Sequence, residues 1–385
     1  MAHQELSLEA VVEWLDQGAP PARRPQDVLL GLCRRLVASG LPVYRVGVFV
    51  RTLHPNVLGR SFIWQADRDL VETNEVGHEL LESEMFIRSP IRVVFADHTE
   101  VRRRLADPGC PRDFPILEDL EREGATDFLA VPLKFLGGEV HAATFATRRP
   151  TGFTEAELRA LRRLLPPFTR VVEIYANMRK AQNILDAYLG PSAGARVLAG
   201  QIKRGDGEDI HAVIWFCDLR DSARLAQFMG RRQYLALLNE YFECVLGPVL
   251  ERKGMVLRFI GDAALAIFPV DGRPAEACES AVACAHEAIA RMEKLNKKRD
   301  SPLAFGIGLH LGEVTYGNVG TPTRIEFTVV GAAANEAARI ESLCKTLGVS
   351  LLVSEPVARN LPRAWKSLGR HALRGAGTEI ELFTD

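Results

Sequence analysis

Residues 258–269 read RFIGDAALAIFP, two short apolar runs that meet at Gly261-Asp262. Runs of this kind around a Gly-Asp pair predict two strands and a tight turn, which puts the Asp262 side chain at the edge of a sheet. Upstream, residues 211–219 read HAVIWFCDL, an apolar strand pattern that ends on a second carboxylate, Asp218. Taken singly, each aspartate has an ordinary explanation, because Asp after a strand often caps a helix and Gly-Asp is common hairpin chemistry. Taken together they predict carboxylates on neighbouring strand ends. Such a pair suits two Mg2+ ions, since hard cations take oxygen ligands and fill their shells with water and substrate phosphates. Phosphoryl or nucleotidyl transfer is the chemistry this implies.

Around these motifs the pattern continues with helices over 222–252, a strand at 255–260, a strand at 263–269 and a helix over 274–298. Strands follow in LAFGIGLHLG and VTYGNV, then a helix over 331–347. Helices and strands alternating around one sheet predict an α/β (α+β) domain.

FCDLRDSARL, RFIGDAALAIFP and EFTVVGAAANEAARIE, in that order, resemble the first metal motif, the second metal motif and the base-recognition and transition-state segment of class III adenylate and guanylate cyclases. The resemblance covers residues 205–384 and implies a ferredoxin-like palm. Carried over by position, it implies that Asp218 and Asp262, with the backbone carbonyl of Leu219, hold two divalent ions, Mg2+ or Mn2+. It implies that Asn335 positions the ribose and that Arg339 meets charge developing on the α-phosphate. These two lie four apart in a helical stretch and so share a face. The ordinary alternative for Arg339 is a surface ion pair with Glu336 or Glu341. Arg324 and Arg374 stand where the family has basic residues for the polyphosphate, and solvated arginines are an equal reading of both. The implied substrate is ATP, converted to 3′,5′-cyclic AMP, and the implied assembly is a homodimer whose sites are shared across the interface.

Two positions depart from the family pattern. The residue four before the second metal aspartate is usually Lys in adenylate cyclases and is Arg258 here, with Thr328 as its partner in base recognition. Adenine offers an acceptor at N1 and a donor at N6, which Arg258 and the Thr328 hydroxyl can satisfy. Arginine also pairs with guanine O6 and N7, so GTP stays an open alternative, although the guanylate pattern of Glu and Cys is absent. Asp221-Ser222 replaces the common Gly-Phe in the phosphate loop, and an extra carboxylate there could repel phosphate or assist a metal. A catalytically silent, nucleotide-binding signalling module is the competing reading of the whole domain.

The N-terminal half predicts helices over 7–17 and 26–39, strands in PVYRVGVFV and RSFIWQ, and an irregular, charged stretch over 70–125 with short helices near 78–86 and 115–123. Two further strands, DFLAVPLKF and VHAATFAT, flank Gly137-Gly138, and Thr154 is a plausible N-cap for the helix after GF. This order resembles a GAF domain, which implies a regulatory role with a small-molecule pocket or a dimerising one. The expected organisation is a GAF-like domain over 1–167, a helical linker over 168–204 and the catalytic domain over 205–385. Beyond the prolines at 166 and 167, apolar residues from Phe168 to Tyr188 recur at threes and fours, a stripe fit for a dimer seam or for packing on the preceding sheet.

At 385 residues the chain exceeds one core, and 47% hydrophobic with 25% charged residues is an ordinary globular mixture. The formal net charge of -1 gives no field for nucleic acid or an anionic membrane. Seven scattered cysteines without paired spacing fit a reducing compartment, and Cys33 reads as packing and not as a chromophore attachment point. With no long apolar run and no basic-then-apolar start, the expected location is cytoplasmic, with no membrane partner.

Overall fold

A computed structural model describes residues 7–373 and 379–385. The chain divides into two units, Met1–Ala187 and Tyr188–Asp385. In the first, helices α1 (Glu9–Asp16) and α2 (Pro25–Ala38) precede strands β1 (Arg45–Arg51), β2 (Gly59–Gln65) and β3 (Leu70–Val76). A 3-10 turn (His78–Glu82), α3 (Glu84–Ile87), α4 (Pro90–Asp97), β4 (Val101–Arg103), α5 (Ile116–Arg122), β5 (Asp127–Lys134), β6 (Val140–Thr147) and α6 (Glu155–Leu189) follow. The sheet is antiparallel, in the order β3-β2-β1-β6-β5-β4.

Strand alternation splits this sheet into two faces. Val46, Val48, Phe62 and Trp64 point to one of them and are buried against the helical side that holds Leu32, Leu36, Leu158 and Phe168. The sequence missed β3, whose only apolar residues are Leu70, Val71 and Val76, because an edge strand with charged side chains has no burial signal. Cys33 is fully buried in the core, as expected of a packing residue.

Helix α6 begins with a reciprocal cap: Glu157 N donates to Thr154 Oγ1, and Thr154 N donates to Glu157 Oε2 at 2.8 Å. Just before it, the buried Asp127 takes Phe153 N at 3.0 Å and Arg102 Nη2 at 2.7 Å. A Cβ on Gly152 (φ +68°) would stand 2.7 Å from Asp127 Oδ2, so this turn requires glycine. The helix runs unbroken through Pro166 and Pro167. Leu158, Leu161, Leu164, Phe168 and Val171 keep one buried stripe across them. The two carbonyls left without a donor belong to exposed arginines, 162 and 163, where water can serve them.

The second unit holds α7 (Pro191–Leu198), β7 (Gly207–Leu219), α8 (Ser222–Phe228), α9 (Arg231–Glu251), β8 (Met255–Ile260), β9 (Ala263–Pro269), α10 (Pro274–Asn296), β10 (Phe305–Thr321), β11 (Arg324–Val330), α11 (Ala332–Leu347), β12 (Leu351–Ser354), α12 (Glu355–Ala358), β13 (Lys366–Ala372) and β14 (Glu379–Thr384). Its eight-stranded sheet is ordered β13-β14-β12-β10-β7-β9-β8, with β11 paired to β10. Only β10 with β12 is parallel. The two runs read as separate strands, LAFGIGLHLG and VTYGNV, are one strand, β10, since Gly312 and Glu313 continue the ladder with β7. Trp215, Tyr241, Val282 and Ile307 centre the core between the sheet and α9 and α10. Helix α11 lies close on the sheet because Gly308 has no side chain: a Cβ there would stand 2.6 Å from Ala337 O. Among the described residues no helix is long and apolar enough to cross a membrane.

Candidate active site

Asp218 is the penultimate residue of β7 and pairs in register with Ala263, the residue that follows Asp262. Asp262 sits in the β8–β9 turn, made possible by Gly261 at φ +65°. The pleat and the turn thus bring both carboxylates to one end of the β7–β9 pair. The Asp218 carboxyl is pushed up to about 6, first by burial and then by the Asp262 carboxylate within hydrogen-bonding reach. A third carboxylate, Glu341 on α11, is buried and pushed up to about 7 by desolvation and by the charges of Asp218 and Asp262, with Arg220 partly offsetting them. Gly306, which pairs with Asp218, gives Glu341 its space, because a Cβ there would run into the Glu341 carboxylate.

The upward shifts of Asp218 and Glu341 mark a site short of positive charge, and an all-oxygen donor set fits a hard divalent cation. Among the described residues no group of three or more His, Cys, Asp or Glu is placed to hold a metal ion, so Glu341 does not join the two aspartates as a ligand. The pair therefore suits an ion that also draws ligands from water and substrate. Leu219 closes β7 and is buried beside the pair.

Arg258 on β8 and Thr328 on β11 carry the second group of residues. Thr328 is buried and its hydroxyl has no hydrogen-bond partner among the described residues, so a donor or acceptor from elsewhere would complete it. Arg258 donates from Nε and Nη2 to the two carboxylate oxygens of Glu326. Sequence reasoning missed Glu326, although it lies two residues before Thr328 and so on the same face of β11. It also missed Glu341 as a member of the acidic group; the signal was a glutamate inside the apolar stripe Ala333, Ala337, Ile340, Cys344 of α11.

Asn335 is exposed and Arg339 half-buried on α11, and neither side chain makes a hydrogen bond or ion pair among the described residues. The surface ion pairs considered for Arg339 do not form: Glu336 lies 3.0 Å from His310 Nε2, and Glu341 is buried beside Asp218. Asp221 occupies the left-handed region at φ +55° and its carboxylate takes Lys345 Nζ at 3.0 Å, which holds the acid below its usual range. Its charge is thereby met within the chain. Arg324 is exposed at the tip of the β10–β11 hairpin, and Arg374 lies outside the described residues.

The sheet thus ends in paired aspartates, and the Asn and Arg of α11 make no side-chain bond among the described residues. Residues 208–383 match the family model of the adenylate and guanylate cyclase catalytic domain, and the C-terminal unit carries such a domain. An adenylate cyclase of Anabaena cylindrica is 30% identical over 243 residues, 59% of this chain and 46% of that protein. An uncharacterized protein of Mycobacterium tuberculosis is 33% identical over 220 residues, 56% of this chain and 38% of that protein. The chain spans less than half the length of either relative. Among solved structures, a bacterial light-regulated adenylyl cyclase is 27% identical, with a TM-score of 0.41 over 46% of this chain and 90% of that one.

Proposed function

We propose that the chain is a nucleotidyl cyclase that converts ATP to 3′,5′-cyclic AMP and pyrophosphate, working as a homodimer under the influence of a GAF-like N-terminal unit. The observation that carries this reading is the Asp218–Asp262 pair, two mutually repelling carboxylates at adjoining strand ends inside a cyclase-family domain. Asp218 and Asp262, with the Leu219 carbonyl, would hold two Mg2+ or Mn2+ ions. When bound, these ions supply Lewis-acid stabilisation for the ribose 3′-oxygen and the leaving pyrophosphate.

The chain's own residues do the rest. Thr328 and Arg258 bind the adenine edge, the hydroxyl accepting from N6 and the guanidinium donating to N1. Asn335 orients the ribose so that its 3′-oxygen lies in line with the α-phosphorus and the departing oxygen. Arg339 donates to the α-phosphate oxygens as negative charge builds there, a task for a planar, permanently charged donor. Arg324 and Arg374 are the candidate polyphosphate ligands. The ribose 3′-hydroxyl gives its proton to solvent as its oxygen bonds to the α-phosphorus, the bond from that phosphorus to the bridging oxygen breaks, and pyrophosphate leaves.

Homodimer formation is supported by apolar side chains left exposed within three residues of Asp262 and Thr328: Phe259 at 59%, Ile260 at 45%, Ile325 at 39% and Val330 at 44%. The deciding experiment incubates the protein with ATP, GTP, CTP and UTP in Mg2+ or Mn2+ and identifies products by mass, beside Asp262→Ala. Cyclic AMP from the wild type alone supports the reading; no cyclic product from any nucleotide would refute it.

A further inference from the structure

The sheet of the N-terminal unit has a second face, opposite the core, and there it walls a cavity of about 640 Å³. Alternation along β1 and β2 delivers Gly47, Phe49, Arg51, Ser61 and Ile63 to it, and α4 supplies Phe95. Gly47 keeps it open, since a Cβ there would stand 2.7 Å from Thr144 Oγ1 and 2.9 Å from the Phe49 ring. A cavity of this size and apolar character is typical of small-molecule sites.

Its charge is lopsided. Arg45, Arg51, Arg60 and Arg88 line it, against a single carboxylate, Asp119. Arg60 is paired with Glu75, Arg45 lies 3.6 Å from Glu123, and Asp119 is paired with Arg122. Arg51 and Arg88 have no ion pair among the described residues. The Arg51 guanidinium carbon stands 4.9 Å over the Phe95 ring, which places an uncompensated cation on an aromatic wall of the same cavity.

We infer that this cavity binds an organic anion with an apolar, ring-containing body, its anionic group met by Arg51 and Arg88 and its body packed on Phe49, Ile63 and Phe95. Guanidiniums recognise carboxylate, sulfonate and phosphate alike through charge-assisted hydrogen bonds. The apolar walls then exclude small inorganic anions, which have nothing to pack there. The inference concerns the unit in front of the cyclase domain, and its readout is binding, so it stands or falls apart from the cyclase activity.

The test uses the full chain and a matched pair of fluorescent probes, 8-anilinonaphthalene-1-sulfonate and its uncharged counterpart N-phenyl-1-naphthylamine, with calorimetry for stoichiometry. The expected result is one equivalent of the sulfonate per chain, bound at least about tenfold more weakly by the Arg51→Gln/Arg88→Gln double variant. The neutral probe should bind both proteins equally. Arg163→Gln, an exposed arginine outside the cavity, should change nothing, and Ile63→Trp, which fills the space from a strand position, should weaken both probes. Equal sulfonate affinity for the wild type and the double variant would overturn the anion assignment. Undiminished binding of both probes to a folded Ile63→Trp protein, checked by thermal melting, would overturn the site.

Discussion

Arg258 and Glu326 form a two-pronged ion pair that joins β8 to β11 on the face that carries Thr328. Each side chain is about two-fifths exposed, so the pair is open to an incoming base. A free carboxylate at this place would accept well from guanine N1–H and N2–H, and a free guanidinium would donate well to guanine O6 and N7. Each neutralises the other, which leaves the remaining donors of Arg258 for the acceptor at adenine N1. Glu326→Gln should therefore lower the ATP-to-GTP ratio of kcat/KM by about tenfold, a discrimination of the size of one good base contact. An unchanged ratio would show that Glu326 has no part in base choice.

The proximity of Asp218 and Asp262, whose charges are both felt at Glu341, makes this acidic group a source of strain. Asp218→Asn removes one charge with almost no change of shape. We expect cyclic nucleotide formation to fall at least about a hundredfold, because the proposed metal site would lose one of its two carboxylates. The metal-free variant should melt no lower than the wild type. Millimolar Mn2+ should raise the melting temperature of the wild type by binding the folded state, and should raise that of the variant less. An equal rise in both would place the ion elsewhere.

The positions of Asp218 and Asp262 were legible in the sequence because they mark the ends of strongly patterned elements. HAVIWFC announces a buried strand, so the position of Asp218 at its end follows, and Gly261-Asp262 between two apolar runs can only be a turn. What was hidden depends on contacts between elements distant in sequence. Glu341 comes within electrostatic range of Asp218 because α11 packs closely on Gly306 and Gly308 of β10, an approach between elements distant in sequence. The Arg258–Glu326 pair spans 68 residues. In the N-terminal unit β3 and β4 were invisible, one charged at a sheet edge and the other only three residues long. The prolines at 166 and 167 read as punctuation, yet tertiary burial of the stripe on both sides holds the helix together.

Asn335 and Arg339 make no side-chain bond among the described residues, and exposed apolar residues lie near both Asp262 and Thr328 in sequence. Both facts fit a site completed by a second copy. In a homodimer with shared sites, Asp218→Ala and Arg339→Ala protomers are each inactive alone. Mixed in equal amounts and allowed to exchange, half of the dimers are hybrids with one intact site, so activity should return to about a quarter of the wild-type level. No recovery, with hybrids verified by differential tagging, would sink the shared-site arrangement.

His141 on β6 supplies a pH dependence separate from catalysis. It is buried, its Nδ1 accepts from Arg51 N at 3.2 Å, and Phe135 packs on its ring at 4.2 Å. Burial pushes it down from 6.5 to about 4, with Glu139 at 3.4 Å opposing the shift and Lys180 and Arg51 adding to it. The folded state thus holds His141 neutral where the unfolded chain would protonate it. Its contribution is complete above pH 6.5 and is lost as pH falls toward 4. Linkage puts the loss at about 2 kcal/mol between pH 7 and pH 5. Glu139, held below its usual range by Lys180, contributes with the same sign at still lower pH. His141→Gln retains a side-chain carbonyl for the Arg51 N–H but cannot titrate. Urea unfolding across this range should show a steeper decline for the wild type than for the variant; parallel declines would mean that His141 does not carry the effect.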